Sequence, residues 1–140
     1  LTVSGALTDI WQVFGGYTHL NITGDGGQDA RTYVPRDMFR LSTTVQIPQV
    51  EGLRLGARLS WQGDIERAQG ELDFDGEEII SRQQSYALLG LMASYSWNPQ
   101  WTVAANIDNV TNEKYLTSLY WSQGYYGAPR NGSLSLRYDF

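Results

Sequence analysis

The chain has no cysteine and a single histidine, His19. Disulfides, thiolate metal sites and thiol nucleophiles are therefore excluded together. A zinc site built from His and Cys is out of reach, and any serine-hydrolase triad would depend on His19 alone. No convincing nucleophile and base pair offers itself, so the chain is not expected to be an enzyme. Charge is scarce as well: 18% of the residues are charged, against about 25% in ordinary globular domains. The ten Lys and Arg are scattered among fifteen carboxylates for a net charge of -5, which leaves no basic stripe for a phosphate backbone and argues against nucleic acid. Nor is there a long apolar run. Ala87 to Ala93 is the longest stretch, far below the roughly 20 residues of a membrane helix. The chain opens on Leu1 without a leader, the expectation for a processed chain or a fragment.

What the chain does have is aromatic residues, glycine and strict alternation. Five Trp, nine Tyr and fifteen Gly occur in 140 residues. Leu53, Leu55, Ala57, Leu59 and Trp61 alternate with Arg54, Gly56, Arg58, Ser60 and Gln62. Phe39 to Ile47, Trp101 to Asp108 and Ser133 to Phe140 repeat the design, and period 2 is the signature of strands with two unlike faces. Ala87 to Trp97, Trp11 to Ile22 and Thr2 to Leu7 carry weaker versions, so about seven strands are expected. Short connections at Thr8 to Ile10, Pro48 to Gly52 and Asn98 to Gln100 take turns with long ones at Thr23 to Pro35, Asp64 to Arg82 and Thr111 to Pro129. Antiparallel neighbours joined in this way place all short turns on one edge and all long loops on the other, as in outer-membrane barrels.

On this arrangement Trp11, Trp97, Trp101 and Phe140 lie near the short-turn edge, and Tyr17, Phe39 and Trp61 near the long-loop edge. Two aromatic belts are thus predicted at two membrane interfaces. Arg40, Arg54, Arg58, Asp108, Arg137 and Asp139 fall on the opposite faces, as lumen-facing polar residues expected to pair across neighbouring strands. A soluble sandwich that buries the rings in its core is the alternative at this point. Seven is an odd number and too few strands to enclose a lumen, so the fold class expected is all-β: a segment of an antiparallel transmembrane β-barrel. The acidic run Asp73 to Glu78 lacks the donor spacing of a calcium loop and is expected to be a solvated loop held extended by its like charges.

The order of several phrases then carries a resemblance. NIDNVTNEKY at Asn106 to Tyr115, YYGAPRN at Tyr125 to Asn131 and the terminal SLSLRYDF resemble the end of TonB-dependent siderophore receptors. TYVPRDMFRLSTTVQIP, LRLGARLSWQG and GYTHLN are similar to phrases of the same family, with His19 standing where an aromatic is common. The resemblance implies that residues 1–140 are the last seven of about 22 strands, without the plug domain, in a receptor of the ferric hydroxamate or pyoverdine-type branch.

It further implies an outer-membrane protein that imports an Fe(III)-siderophore chelate, energised by TonB through the missing plug segment. This chain alone would hold no cofactor and would not transport. Its surroundings would be outer-membrane lipid and lipopolysaccharide, and the barrel assembly machinery would read its terminal strand ending on Phe140. Passive channels and receptors for cobalamin, haem or oligosaccharide are the alternatives. For ligand contact the third long loop is favoured, where Tyr115, Tyr120, Trp121, Tyr125 and Tyr126 supply rigid amphipathic surface. Bracing of that loop by the same rings, or their seating in the lipid headgroup belt, is the competing reading.

Overall fold

The computed structural model describes residues 1–28, 30–120 and 123–140, with the side chain of Tyr120 left aside. Eleven strands are formed among the described residues: β1 (Thr2–Thr8), β2 (Trp11–His19), β3 (Asp37–Gln46), β4 (Leu53–Gln62), β5 (Ile65–Leu72), β6 (Glu78–Gln83), β7 (Tyr86–Ser96), β8 (Trp101–Asp108), β9 (Leu116–Tyr120), β10 (Gln123–Tyr126) and β11 (Asn131–Tyr138). Seven of them make one antiparallel sheet in the order β1-β2-β3-β4-β7-β8-β11. These are the seven alternating segments of the sequence. The remaining four are two hairpins, β5–β6 and β9–β10, each inside one of the connections expected to be a plain long loop.

Registry converts alternation into two continuous faces, because directly paired residues point the same way. Tyr17 pairs with Phe39, and Phe39 with Trp61. Trp11 pairs with Val45, Val45 with Leu55, Leu55 with Ala93, Ala93 with Ala105 and Ala105 with Leu134. This face is apolar along most of its length, with Thr43 within it and Asp37 and His19 at its long-loop edge. Ser42, Arg58 and Gly90 form a row on the other face, and Ser94, Ala104 and Ser135 form another.

The register also fixes the tilt. From Trp11 beside the β1–β2 turn, the paired row reaches Ala105 after four strand steps, four residues above Trp101 beside the β7–β8 turn. A slip of one residue, about 3.4 Å, per strand spacing of about 4.8 Å corresponds to a tilt of roughly 35°. That lies in the range of strands in outer-membrane barrels, about 35–45°.

The sheet is a single layer, and its large side chains are not covered: Leu91 is 43% exposed, Ile107 45% and Leu134 76%. Among the described residues the buried hydrophobic side chains are Ile65 and Leu119, both in the hairpins. A soluble sandwich would have covered the apolar face with a second sheet. At the short-turn edge Trp97 stacks on Trp101 at 6.0 Å, Trp101 meets Tyr138 at 4.7 Å and Tyr138 meets Phe140 edge-on at 5.0 Å. These ring contacts tie the last strand to the β7–β8 turn.

Candidate ligand-facing site beneath the loop hairpins

On the polar face, below the long-loop edge, a recess of about 490 Å³ is lined by Phe14, Arg40, Arg58, Asp108, Tyr115 and Asn131, among others. Its floor is one row of the sheet. Phe14 pairs with Ser42, Ser42 with Arg58, Arg58 with Gly90, and Asp108 with Asn131. Arg58 on β4 reaches over β7 to form an ion pair with Asp108 on β8. Gly90 makes that reach possible: a Cβ there would stand 2.7 Å from Arg58 Nε and 2.9 Å from its Cγ. The Arg58 side chain crosses a strand that has no side chain at that place.

Arg137 pairs within its own strand end, its Nε donating to Asp139 Oδ1 at 2.8 Å. The expected partners are Asp108, Asp139 or carboxylates of the plug; Asp108 and Asp139 pair with Arg58 and Arg137, and Arg40 and Arg54 have no ion-pair partner among the described residues. Arg40 lines the recess, while Arg54 lies near the short-turn edge in a second recess with Glu51 and Thr102. On the apolar face at the long-loop edge, Asp37 Oδ1 accepts from Tyr17 Oη at 2.5 Å and lies 2.7 Å from His19 Nδ1. His19 therefore shares the outer face of β2 with Trp11 and Tyr17.

The roof of the recess begins where β8 ends. Asn109 adopts φ 50° and Asn112 φ 55°, left-handed conformations in which Asn is among the few tolerated side chains. The Asn109 side chain is buried, and both its nitrogen and its oxygen are hydrogen-bonded. Its Nδ2 donates to the carbonyls of Glu113 and Ala128 at 2.8 and 3.1 Å, and its Oδ1 accepts from Glu113 N–H at 2.8 Å. Asn112 Oδ1 accepts from Arg130 N–H at 3.0 Å. Both ends of the third loop are thus clamped to one point by the NVTN phrase.

From that clamp Tyr115 turns into the recess, its ring 4.5 Å from that of Tyr86. Gly127 closes the root of the hairpin through its N–H to Tyr115 O at 2.9 Å, and a Cβ at Gly127 would collide with the Tyr115 ring. The three described rings of this loop, Tyr115, Tyr125 and Tyr126, differ in exposure. Tyr115 is half-buried at the root, whereas Tyr125 and Tyr126 are exposed. Tyr125 Oη donates to Gln123 Oε1 at 2.9 Å, and the Lys114 ammonium sits 4.8 Å from the Tyr126 ring centre. The backbone of Tyr120 pairs with Gln123. Trp121 lies outside the described residues.

The acidic run is exposed, but it is a tight turn at the tip of β5–β6 and not an extended loop. Asp73 Oδ1 accepts from the N–H groups of Asp75 and Glu77, both at 2.9 Å, and Gly76 takes φ 85°. Local side-chain acceptance and a glycine in the left-handed region outweigh repulsion between solvated carboxylates. The readable signal was the Asp75–Gly76 pair, a hairpin-turn dipeptide. Residues passed over by the pattern reading are Gly90, Asn109, Arg67 and Gln83. Each acts on a partner distant in sequence.

Comparison with known proteins gives a consistent result. The family described as "TonB dependent receptor-like, beta-barrel" matches residues 1–110. The ferric-pyoverdine 358 receptor of Pseudomonas putida is 33% identical over 139 residues, covering 99% of this chain and 16% of that protein. The ferripyoverdine receptor of Pseudomonas aeruginosa is 33% identical over 140 residues, covering 99% of this chain and 17% of that protein. The crystal structure of that outer-membrane receptor bound to ferripyoverdine matches 99% of this chain and 19% of its own at TM-score 0.91 and 31% identity. The present chain thus spans only a small part of the relatives it matches.

Proposed function

We propose, because this chain belongs to the TonB-dependent receptor β-barrel family, that the full-length protein binds and imports an Fe(III)-siderophore chelate of the pyoverdine type. Its seven-stranded sheet is a stretch of outer-membrane barrel wall. Residues 1–140 form its C-terminal portion, the last of about 22 strands, with the plug domain elsewhere in the receptor. The apolar face meets lipid. Trp11, Trp97, Trp101 and Phe140 occupy one interface, and Tyr17, Phe39 and Trp61 occupy the other, beside lipopolysaccharide. The polar face carrying Arg40, Arg54, Arg58, Asp108, Arg137 and Asp139 meets the lumen and the plug. TonB acts through the plug, and the barrel assembly machinery takes up the chain by its last strand.

The observation that carries this reading is the joint one of likeness and geometry. Ferripyoverdine receptors match along nearly the whole chain, and the aromatic third loop is rooted at a recess whose wall holds Tyr115 and Arg40, a guanidinium without an ion-pair partner among the described residues. Aromatic faces grip a bulky chelate, and the cation meets its anionic oxygens. Tyr115, Tyr120, Trp121, Tyr125 and Tyr126 are the proposed contacts.

The test is quenching of intrinsic tryptophan fluorescence in the full-length receptor in detergent, with ferric hydroxamate, pyoverdine-type and catecholate chelates, cobalamin and haem compared. Saturable sub-micromolar quenching by the pyoverdine-type chelate is expected. Binding of cobalamin or haem instead, or of no ligand by a folded receptor, would overturn the proposed substrate.

A further inference from the structure

The β5–β6 hairpin carries none of the proposed ligand contacts, yet it holds the hairpin that does. At its root, Gln83 lies in β6 directly opposite Ile65 of β5. Its Oε1 accepts from the Leu116 N–H at 2.8 Å, and Leu116 is the first residue of β9. The Gln83 amide is fixed at its other end, where Nε2 donates to Gln84 O at 2.8 Å. Three residues on, the Tyr86 ring packs against Tyr115, the residue before Leu116. Further out, Arg67 Nη1 donates to Leu119 O at 3.4 Å, and Ile65 and Leu119 are 3% and 4% exposed.

The β5–β6 hairpin is itself anchored to the first long loop. Thr32 Oγ1 donates to Glu66 O at 2.9 Å, Glu66 N–H donates to Thr32 O at 3.1 Å, and the Arg67 guanidinium lies 4.6 Å from the Tyr33 ring centre. Three connections far apart in sequence thus form one packed body above the sheet. The seam is less well satisfied around Gln69, which is 6% exposed with its Oε1 unpartnered. Its root is the firmer part. Two hydrogen bonds join a side chain of one hairpin to the backbone of the other, and the one from Leu116 N–H to Gln83 Oε1, at 2.8 Å, is shorter than the one from Arg67 Nη1 to Leu119 O, at 3.4 Å.

We infer that the β5–β6 hairpin sets the pose of the β9–β10 hairpin over the recess, with Gln83 as its positioning residue. Gln83 touches no ligand and acts by fixing where β9 starts. The part that concerns ligand rests on the function proposed above. The part that concerns pose does not.

The test uses the full-length receptor in detergent, carrying Gln83→Met or Gln83→Glu. Met fills a similar volume without an acceptor, whereas a Glu carboxylate can still accept the Leu116 N–H. Backbone hydrogen exchange is read at residues 116–119 and in β2 and β3, and dissociation of a ferric pyoverdine-type chelate is followed by fluorescence. Gln83→Met should speed exchange at Leu116 and Leu119 by about tenfold, near the upper range for loss of one such bond, with β2 and β3 unchanged. Chelate dissociation should quicken by a similar factor, and Gln83→Glu should return both part of the way, because it keeps the acceptor for Leu116 N–H but loses the donor to Gln84 O. Wild-type exchange in Gln83→Met, or equal acceleration in both variants, would overturn the positioning role. Faster exchange with unaltered dissociation would overturn the link to ligand, and failure of the wild-type receptor to bind would refute the proposed function while the exchange result stands.

Discussion

Asn109→Leu is expected to release the third loop from the barrel wall. The substitution leaves the Glu113 N–H and the carbonyls of Glu113 and Ala128 without their side-chain partner, and a stranded buried group costs about 1–3 kcal/mol. It also forces a branched side chain into φ 50°, adding about 1–2 kcal/mol. Together these give about 3 kcal/mol or more, which is a hundredfold or greater rise in local opening. Hydrogen exchange at Glu113 and Gly127, the latter bonded to Tyr115 O, should quicken by that factor while the centre of the sheet stays protected. Asn109→Gly tolerates the conformation and admits water, and should fall between wild type and Asn109→Leu. Equal exchange in all three proteins would show that the clamp does not hold the loop.

The second large effect comes from two neighbouring residues of the same kind. Ala105 pairs with Ala93 and Leu134 on the apolar face, and Ala104 pairs with Ser94 and Ser135 on the polar one. Ala105 is four residues from Trp101 at the short-turn edge, which places it near the middle of an apolar band about 25 Å tall. An arginine on the lipid face at that depth costs about 2–4 kcal/mol. Ala105→Arg in the full-length receptor should therefore fold into vesicles with a stability loss of that size, read from urea titration. Ala104→Arg, among serines on the wet side, should cost about 0.5 kcal/mol or less. Equal losses, or the reverse order, would contradict the assignment of the faces.

The wall was legible in the sequence because its signal is local. Each strand such as Leu53 to Gln62 states by itself which side chains point which way, and the turns state which end is which. Strand limits shifted by only a residue or a few: β2 stops at His19, β3 starts at Asp37 and β7 at Tyr86. The hairpins were hidden for the opposite reason. Ile65 to Leu72 and Glu78 to Gln83 meet polar neighbours on both sides, so no clean alternation develops. What orders them is contact with residues 34, 33 and 52 positions away, at Thr32–Glu66, Gln83–Leu116 and Arg67–Leu119. The ion pair of Arg58 could be foreseen only in kind. Its choice of Asp108 depends on register across β7 and on the bare backbone of Gly90, neither of which a single strand reports.

The account rests on the apolar face of this sheet meeting hydrocarbon, and adjacent positions on β7 test that directly. Leu91, opposite Ala57 and Ile107, lies on the apolar face; Met92, opposite Gly56 and Asn106, lies on the polar one. This chain contributes no cysteine of its own, so a fluorophore can be attached at Leu91→Cys or Met92→Cys in the full-length receptor, with any other cysteine removed. In vesicles whose lipids carry brominated acyl chains, the probe at residue 91 should be strongly quenched and the probe at residue 92 left bright. Equal quenching at both positions, or quenching at residue 92 alone, would show that this sheet is not the barrel wall described.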